Sequence, residues 1–386
     1  MKVVVAMDSF KGSMSSVEAG NAAKEGIEMV CDAKVTVKPL ADGGEGTTEA
    51  LVEGLGGTFV TLEVMGALGE KVNAKYGILK DNRTAVMEMA EAAGIAMAKR
   101  EELNPSIATT YGVGEMILDA IKRGCREFII GIGGSMTSEC GVGMLQALGA
   151  EILLQDGNPV APGIQDLDCI ASINFQNMPK ELQECHFQIA CDVKNPLCGE
   201  NGAVYVFGSQ KGIREEEKPL FDKKIAHFAD KTKEFTGNDY RMAAGAGAAG
   251  GLGFAFLSYF PNVELKSGIA IVLEAIGLEQ EVRDADIVIT GEGLFDVQTA
   301  MGKVPAGVAA LAKKHGAMVL VFAGGVTKDA KICNIIGVDA FFPIVRGITT
   351  LEEAMQPVNA KENMTLAVEQ VFRLLQYKQK FDSSCR

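Results

Sequence analysis

The sequence predicts an α/β fold of two α/β domains, the first split by the second, and three observations predict it. Short apolar runs alternate with stretches of helical period along most of the chain, the pattern of strands and helices taking turns around a mainly parallel sheet. The 45 glycines exceed the average share of roughly 7%. They sit in short loops after apolar runs, not in a Gly-X-Y period or a low-complexity tract. Residues 58–89 break the alternation: closely spaced apolar runs with turn signals at Gly66, Gly69 and Asp81-Asn82 read as a meander. This places a discontinuous first domain at 1–60 and 287–386 and an inserted domain at 61–286.

Taken in order, residues 3–6 read as a strand and 15–30 as a helix, with Ser15 and Glu18 spaced as a capping box. A second strand, 35–40, runs into ADGGEG, and 49–54 reads as the next helix. Further strands are expected at 58–65, 75–79, 84–89, 128–132, 187–190, 203–207, 287–289, 319–322 and 340–344. Helices are expected at 112–123, 141–148, 215–236, 268–276, 306–315 and 351–377. Residues 242–263 carry no charge, but their glycines and Pro261 favour a buried Gly/Ala-rich helix over a membrane span.

Composition narrows the function. A net charge of −13 argues against a nucleic-acid partner, whose phosphates need basic patches. Nine cysteines at irregular spacing, with no CxxC, argue for reduced thiols rather than a disulfide framework. The group Cys185, His186, Cys191 and Cys198 lacks zinc-site spacing. With only three histidines, acid–base chemistry falls to Asp, Glu or Lys. The N-terminal apolar run is too short for a signal peptide, and a cytoplasmic protein is expected, without membrane attachment.

Chemistry is expected in the loops that follow the strands, because open α/β sheets bind ligands beyond the carboxyl ends of their strands. The expected strand 287–289 ends in Thr290-Gly291-Glu292-Gly293, followed by Asp296 and then Lys303 at a helix start. Glycines let a backbone approach phosphate, a helix start favours anions, carboxylates hold Mg²⁺ and lysine neutralises phosphate charge. Comparable loops are Asp8-Ser9-Phe10-Lys11, Asp42-Gly43-Gly44-Glu45, Gly133-Gly134-Ser135 and Asp192-Val193-Lys194-Asn195. Together they suggest one phosphate-handling site. Each also has a plainer reading: Asp8 and Asp296 as helix caps, Asp42 in a glycine turn, Gly133 and Gly134 as packing glycines, Asp192 in an Asx turn. Gly245-Ala-Gly247-Ala-Ala-Gly250 matches GxGxxG, but no strand precedes it, which disfavours a dinucleotide site. No P-loop or protein-kinase signature is present.

At these loops the chain resembles the type-1 bacterial glycerate kinases. The resemblance runs almost end to end, through DSFKGS from Asp8, PLADGGEGT from Pro39, TTYGVGEMI from Thr109, GIGGSMT from Gly131, CDVKNPLCGENGA from Cys191, FGSQKG from Phe207 and TGEG through GKVPAGVA. It implies phosphorylation of D-glycerate, usually at the 2-hydroxyl, with ATP and Mg, in glycerate and glyoxylate metabolism. It also implies one flavodoxin-like and one restriction-enzyme-like domain, with the site in the cleft between them, and it is compatible with a homodimer. Departures are Met7 for a common proline, Ser138 and Glu139 for the family's Asn and Asp, and Leu294 for its arginine.

On this reading Asp192 orients or deprotonates the substrate hydroxyl, with Asp42 second in line. Lys11 and Lys303 meet anionic oxygens, and Asp8, Ser9, Asp42 and Glu45 contact substrate. Gly133, Gly134 and Ser135 offer N–H groups to the nucleotide, while Glu292 and Asp296 hold Mg. The alternative is a small-anion binding protein that kept the fold and lost turnover, supported only by Ser138, Glu139 and Leu294.

Overall fold

A computed structural model describes residues 1–384. Its strands are β1 (Lys2–Val5), β2 (Lys34–Val37), β3 (Gly57–Met65), β4 (Lys71–Leu79), β5 (Thr84–Glu88), β6 (Glu127–Gly131), β7 (Glu151–Leu154), β8 (Ile170–Asn174), β9 (His186–Ala190), β10 (Val263–Lys266), β11 (Ile287–Phe295), β12 (Met318–Val326) and β13 (Ala340–Pro343). The chain forms two compact units. The first comprises Met1–Asp42, Glu49–Leu55 and Val272–Arg386, and the second Gly43–Thr48 and Gly56–Ile271.

The first unit is built on a parallel sheet of order β13-β12-β11-β1-β2. Strand order runs outward in both directions from the β1–β11 pair, so this pair is the topological switch point, where such sheets open a crevice for ligands. Val3, Val5, Ile287, Ile289, Leu320 and Phe322 alternate onto one face and are covered by the helices Ser16–Glu28 and Pro357–Ser384. Ser15 caps the former through the expected capping box with Glu18. These two helices cross closely at Gly26, where a Cβ would lie 2.3 Å from the Thr365 carbonyl oxygen. The Thr365 hydroxyl donates to the Ala22 carbonyl at 3.0 Å at the same crossing. Gly26→Ala is therefore expected to destabilise the fold by about 2 kcal/mol, because overpacking outweighs the roughly 1 kcal/mol gain in helix propensity. A melting curve checks this; an unchanged or raised Tm would contradict it.

Residues 272–286, expected from the sequence in the inserted domain, cluster with the first unit instead. Lys38 reaches the Ile276 carbonyl and Glu281, and Lys2 reaches Asp284 and, through its backbone, Asp286. These contacts tie the segment to β1 and β2.

In the second unit the sheet order is β10-β9-β6-β5-β4-β3. The β3–β4–β5 part is the antiparallel meander, and β5, β6, β9 and β10 run parallel. Phe128 and Phe187, paired across β6 and β9, stack at 4.8 Å in its core. Strands β7 and β8 form a separate antiparallel pair; neither they nor β10 stood out in the sequence.

Four expected elements differ. Residues 203–207, β-branched and aromatic enough to read as a strand, form the helix Ala203–Phe207 between Gly202 and Gly208. No strand neighbour is available there, and tertiary context overrides propensity. Strand β11 does not stop at Ile289 but continues through Thr-Gly-Glu-Gly to Phe295, because β12 pairs with it along its length. Gly291 is needed there: a Cβ would meet the Phe322 carbonyl oxygen at 2.0 Å. The helix expected over 351–377 is two, Leu351–Met355 and Pro357–Ser384, because the residue before a proline is pushed to extended geometry, and Gln356 has ψ 126°. Within 242–263 only Leu252–Tyr259 is α-helical. Gly247 and Gly250 there press against the Pro196 and Thr137 carbonyls, so the GxGxxG run serves close packing. No helix among the described residues is long and apolar enough to cross a membrane.

Candidate functional site

At the carboxyl ends of β1, β11, β12 and β13 the first unit opens a cavity of about 550 Å³. Asp8, Ser9 and Lys11 enter it from the turn after β1, and Asp42 from the segment after β2. Glu292, Gly293 and Leu294 come from the extended end of β11, and Lys303 from the start of the helix Val304–Lys314. The far wall, Ile344, Val345, Leu351, Ala354 and Met355, is apolar. The fold thus gathers at its switch point Asp8, Asp42 and Glu292 with Lys11 and Lys303, three of the acids and both lysines given site roles from the sequence.

The electrostatics of this cavity are strained in one direction. Asp8 is 9% exposed. Its pKa is raised to about 7, by burial first and then by Asp42 and Glu292, against the lowering effects of the Ser9 N–H and Lys11. Burial also raises Glu292, with Asp296 and Asp42 adding to it, while the Thr299 hydroxyl and Lys303 oppose the shift. Lys303 Nζ lies 3.8 Å from Glu292 Oε2 and 4.0 Å from Asp296 Oδ1. That pairing explains a lysine placed against the helix dipole. Asp296 Oδ1 also accepts the N–H groups of Gln298 and Thr299, capping the short helix Val297–Met301. Leu294 is 52% exposed beside this cluster and supplies no charge to it.

The excess of carboxylate over ammonium makes this a place that a divalent cation would relieve. Among the described residues no three His, Cys, Asp or Glu groups form a complete metal cage. A cation that keeps water and phosphate oxygens in its shell needs only one or two carboxylates, and Glu292, with the second oxygen of Asp296, fits that requirement.

The second unit carries the glycine loop. Beyond β6, Gly133 and Gly134 are exposed and Ser135 is buried. Gly134 has φ +68°, a conformation suited to glycine. The Ser135 hydroxyl accepts from Lys211 Nζ at 2.7 Å. Glu88, at the end of β5, accepts the N–H groups of Gly46 and Thr48 and so fixes the turn Gly43–Thr48. Neither Glu88 nor Lys211 stands out in the sequence; an acid closing the buried strand TAVME is the one signal for the former. In that turn Gly43 passes so close to Gly268 that a Cβ would be 2.3 Å from its Cα, and Glu45 is exposed. Asp192 is exposed, and its Oδ1 accepts the Gly268 N–H at 3.1 Å, at the start of the helix Gly268–Ala275.

Glu139, one of the departures noted from the sequence, lies deep in the second unit. Its carboxylate accepts from the Thr110 hydroxyl at 2.6 Å, the Thr110 N–H at 3.2 Å and the Gly143 N–H at 2.7 Å. It thereby holds the starts of the helices Tyr111–Lys122 and Val142–Ala147.

Comparison with known proteins agrees with this chemistry. The model of the Glycerate kinase family matches residues 3–376. A glycerate kinase of Bacillus subtilis (strain 168) is 44% identical over 92% of this chain and 93% of its own length. The glycerate 2-kinase of Escherichia coli (strain K12) is 43% identical over the same shares. A crystal structure of a candidate glycerate kinase 2 from Salmonella typhimurium LT2 matches with a TM-score of 0.90 at 42% identity, covering 98% of this chain and 99% of that one. With a family match across nearly its whole length and relatives this close, the chain belongs to the glycerate kinase family.

Proposed function

We propose that the protein transfers the γ-phosphoryl group of ATP to the 2-hydroxyl of D-glycerate with Mg²⁺. The observation that carries this reading is the cavity at the β1–β11 switch point. There Asp8, Asp42 and Glu292 stand with Lys11 and Lys303, in a chain that matches glycerate kinases over more than nine-tenths of its length. Phosphoryl transfer needs positioning and charge neutralisation more than covalent chemistry, and these groups are suited to both. Mg²⁺ would supply positive charge to offset that of the phosphates, and Glu292 and Asp296 would hold it.

Asp8 is the base this geometry favours. It is buried at the end of β1 inside the cavity, and a pKa of about 7 matches a group that takes a proton at neutral pH. Ser9 holds its carboxylate through the backbone N–H at 2.7 Å. Lys11 and Lys303 supply positive charge to the carboxylate of glycerate or the moving phosphoryl group. Gly133, Gly134 and Ser135 offer backbone N–H groups to the nucleotide phosphates. Asp192, favoured as base from the sequence, accepts the Gly268 N–H at the start of the helix Gly268–Ala275, and we place it second to Asp8. Asp192→Asn keeps an acceptor for that N–H and is expected to lower kcat by less than about tenfold. A loss as large as that of Asp8→Asn would return the base to Asp192.

One coupled assay with D-glycerate, ATP and Mg²⁺ tests the whole reading. ADP release dependent on D-glycerate supports it, and phosphorus NMR should show 2-phosphoglycerate. Glycerate binding without ADP release would favour the small-anion binding protein, for which the uncharged Leu294 beside the acids is the one supporting observation.

A further inference from the structure

We infer that Lys211 is a positioning residue for the Gly133–Ser135 loop, its ammonium standing behind the loop as a countercharge to the phosphates that the loop receives. The inference rests on the nucleotide role proposed for that loop.

Lys211 is 3% exposed, in the short helix Ser209–Lys211. Its Nζ donates to the Ser135 hydroxyl at 2.7 Å and to the Thr137 carbonyl at 2.8 Å. Both acceptors are neutral, and among the described residues no carboxylate pairs with it. That is unusual, since lysines are almost never fully buried unless paired, and a buried unpaired charge is costly. Burial alone pushes its pKa down to about 7, with no acid pulling it back. Its two bonds fall on consecutive parts of one loop, immediately beside the exposed Gly133 and Gly134. A countercharge missing from the protein and a loop of exposed glycine N–H groups point to the same anion. Bound there, a phosphate would gain the loop's donors directly and the field of Lys211 through them.

The test uses steady-state kinetics of the full chain with three variants. Lys211→Met keeps the length of the side chain and removes the charge. It is expected to raise KM for MgATP about tenfold while KM for D-glycerate stays within about twofold. A lower Tm or kcat with KM for MgATP unchanged would mark Lys211 as merely structural and overturn the inference. Gly133→Ala tests the loop itself. A Cβ there meets nothing nearer than the Gly44 Cα at 4.0 Å, so folding should survive, yet it would intrude where phosphate is expected. A raised KM for MgATP in Gly133→Ala but not in Lys211→Met overturns the inference alone. No change in either overturns the loop assignment and the inference with it. Should Lys211→Met fail to fold, Ser135→Ala, which removes one of the two acceptors, decides by the same KM criterion.

Discussion

Asp8→Asn is expected to lower kcat by about a thousandfold, within the range of a lost general base, while making the protein more stable at pH 8. The two effects have one cause. Asp8 is held in a buried cavity beside Asp42 and Glu292, and its pKa rises from 3.8 to about 7. Because the folded-state pKa is the higher one, the folded protein binds the extra proton between about pH 4 and pH 7. The stability associated with that proton is fully present below pH 4 and is lost as pH rises through 7. Asparagine never ionises, so the variant escapes that loss. Its advantage over the parent should be near zero at pH 4 and reach about 2–4 kcal/mol at pH 8. Asparagine still accepts the Ser9 N–H. Melting curves at pH 5 and pH 8, beside turnover at pH 8, check both halves. An inactive variant with no pH-dependent gain would show that Asp8 is needed but not strained, and an active variant would remove it as the base.

Glu139→Ala should have the opposite profile, with a large loss of stability and little direct effect on chemistry. Alanine leaves the Thr110 N–H, the Thr110 hydroxyl and the Gly143 N–H buried with their acceptor gone. The Thr110 hydroxyl also accepts from Met144 N–H at 2.9 Å, so the loss reaches two helix starts at once. A cost of about 3 kcal/mol follows, since each abandoned buried donor is expensive, and Tm should fall by roughly 6–12 °C. Glu139→Gln keeps one acceptor but turns a donor toward an N–H, so it should fall between. Below its Tm the alanine variant should retain kcat within a few-fold. A lost kcat at unchanged Tm would instead place Glu139 in the reaction.

What could be read from the sequence follows from how local each feature is. The capping box at Ser15 and Glu18, the meander, and the run of loops after strands depend on near neighbours, and they lie where expected. Strand β11 is longer than its local sequence suggests, because Thr-Gly-Glu-Gly reads as a turn and only its pairing with β12 keeps it extended. Residues 203–207 read as a strand for the reverse reason, since their β-branched side chains meet no strand in the fold. In the candidate site, residue types and loop positions were legible. Their charge states were not: Asp8 titrates high because the fold buries it and brings Asp42 and Glu292 up beside it from distant parts of the chain. Lys211 reads as an ordinary surface lysine between glycines, and only the folded chain buries it behind Ser135. Glu139 reads as a functional departure and proves to be a buried staple.

The crossing of Ser16–Glu28 with Pro357–Ser384 at Gly26 also bears on how the chain is made. On the ribosome β1, β2 and their first helix emerge long before Pro357–Ser384, the helix that seals their apolar face. The second unit is complete once Ile271 has emerged, and its sheet can close at once. Val3, Val5, Met7 and Ile27 therefore stay uncovered until Pro357–Ser384 has emerged. A ribosome stalled before residue 357 would leave that apolar sheet face open and prone to aggregation.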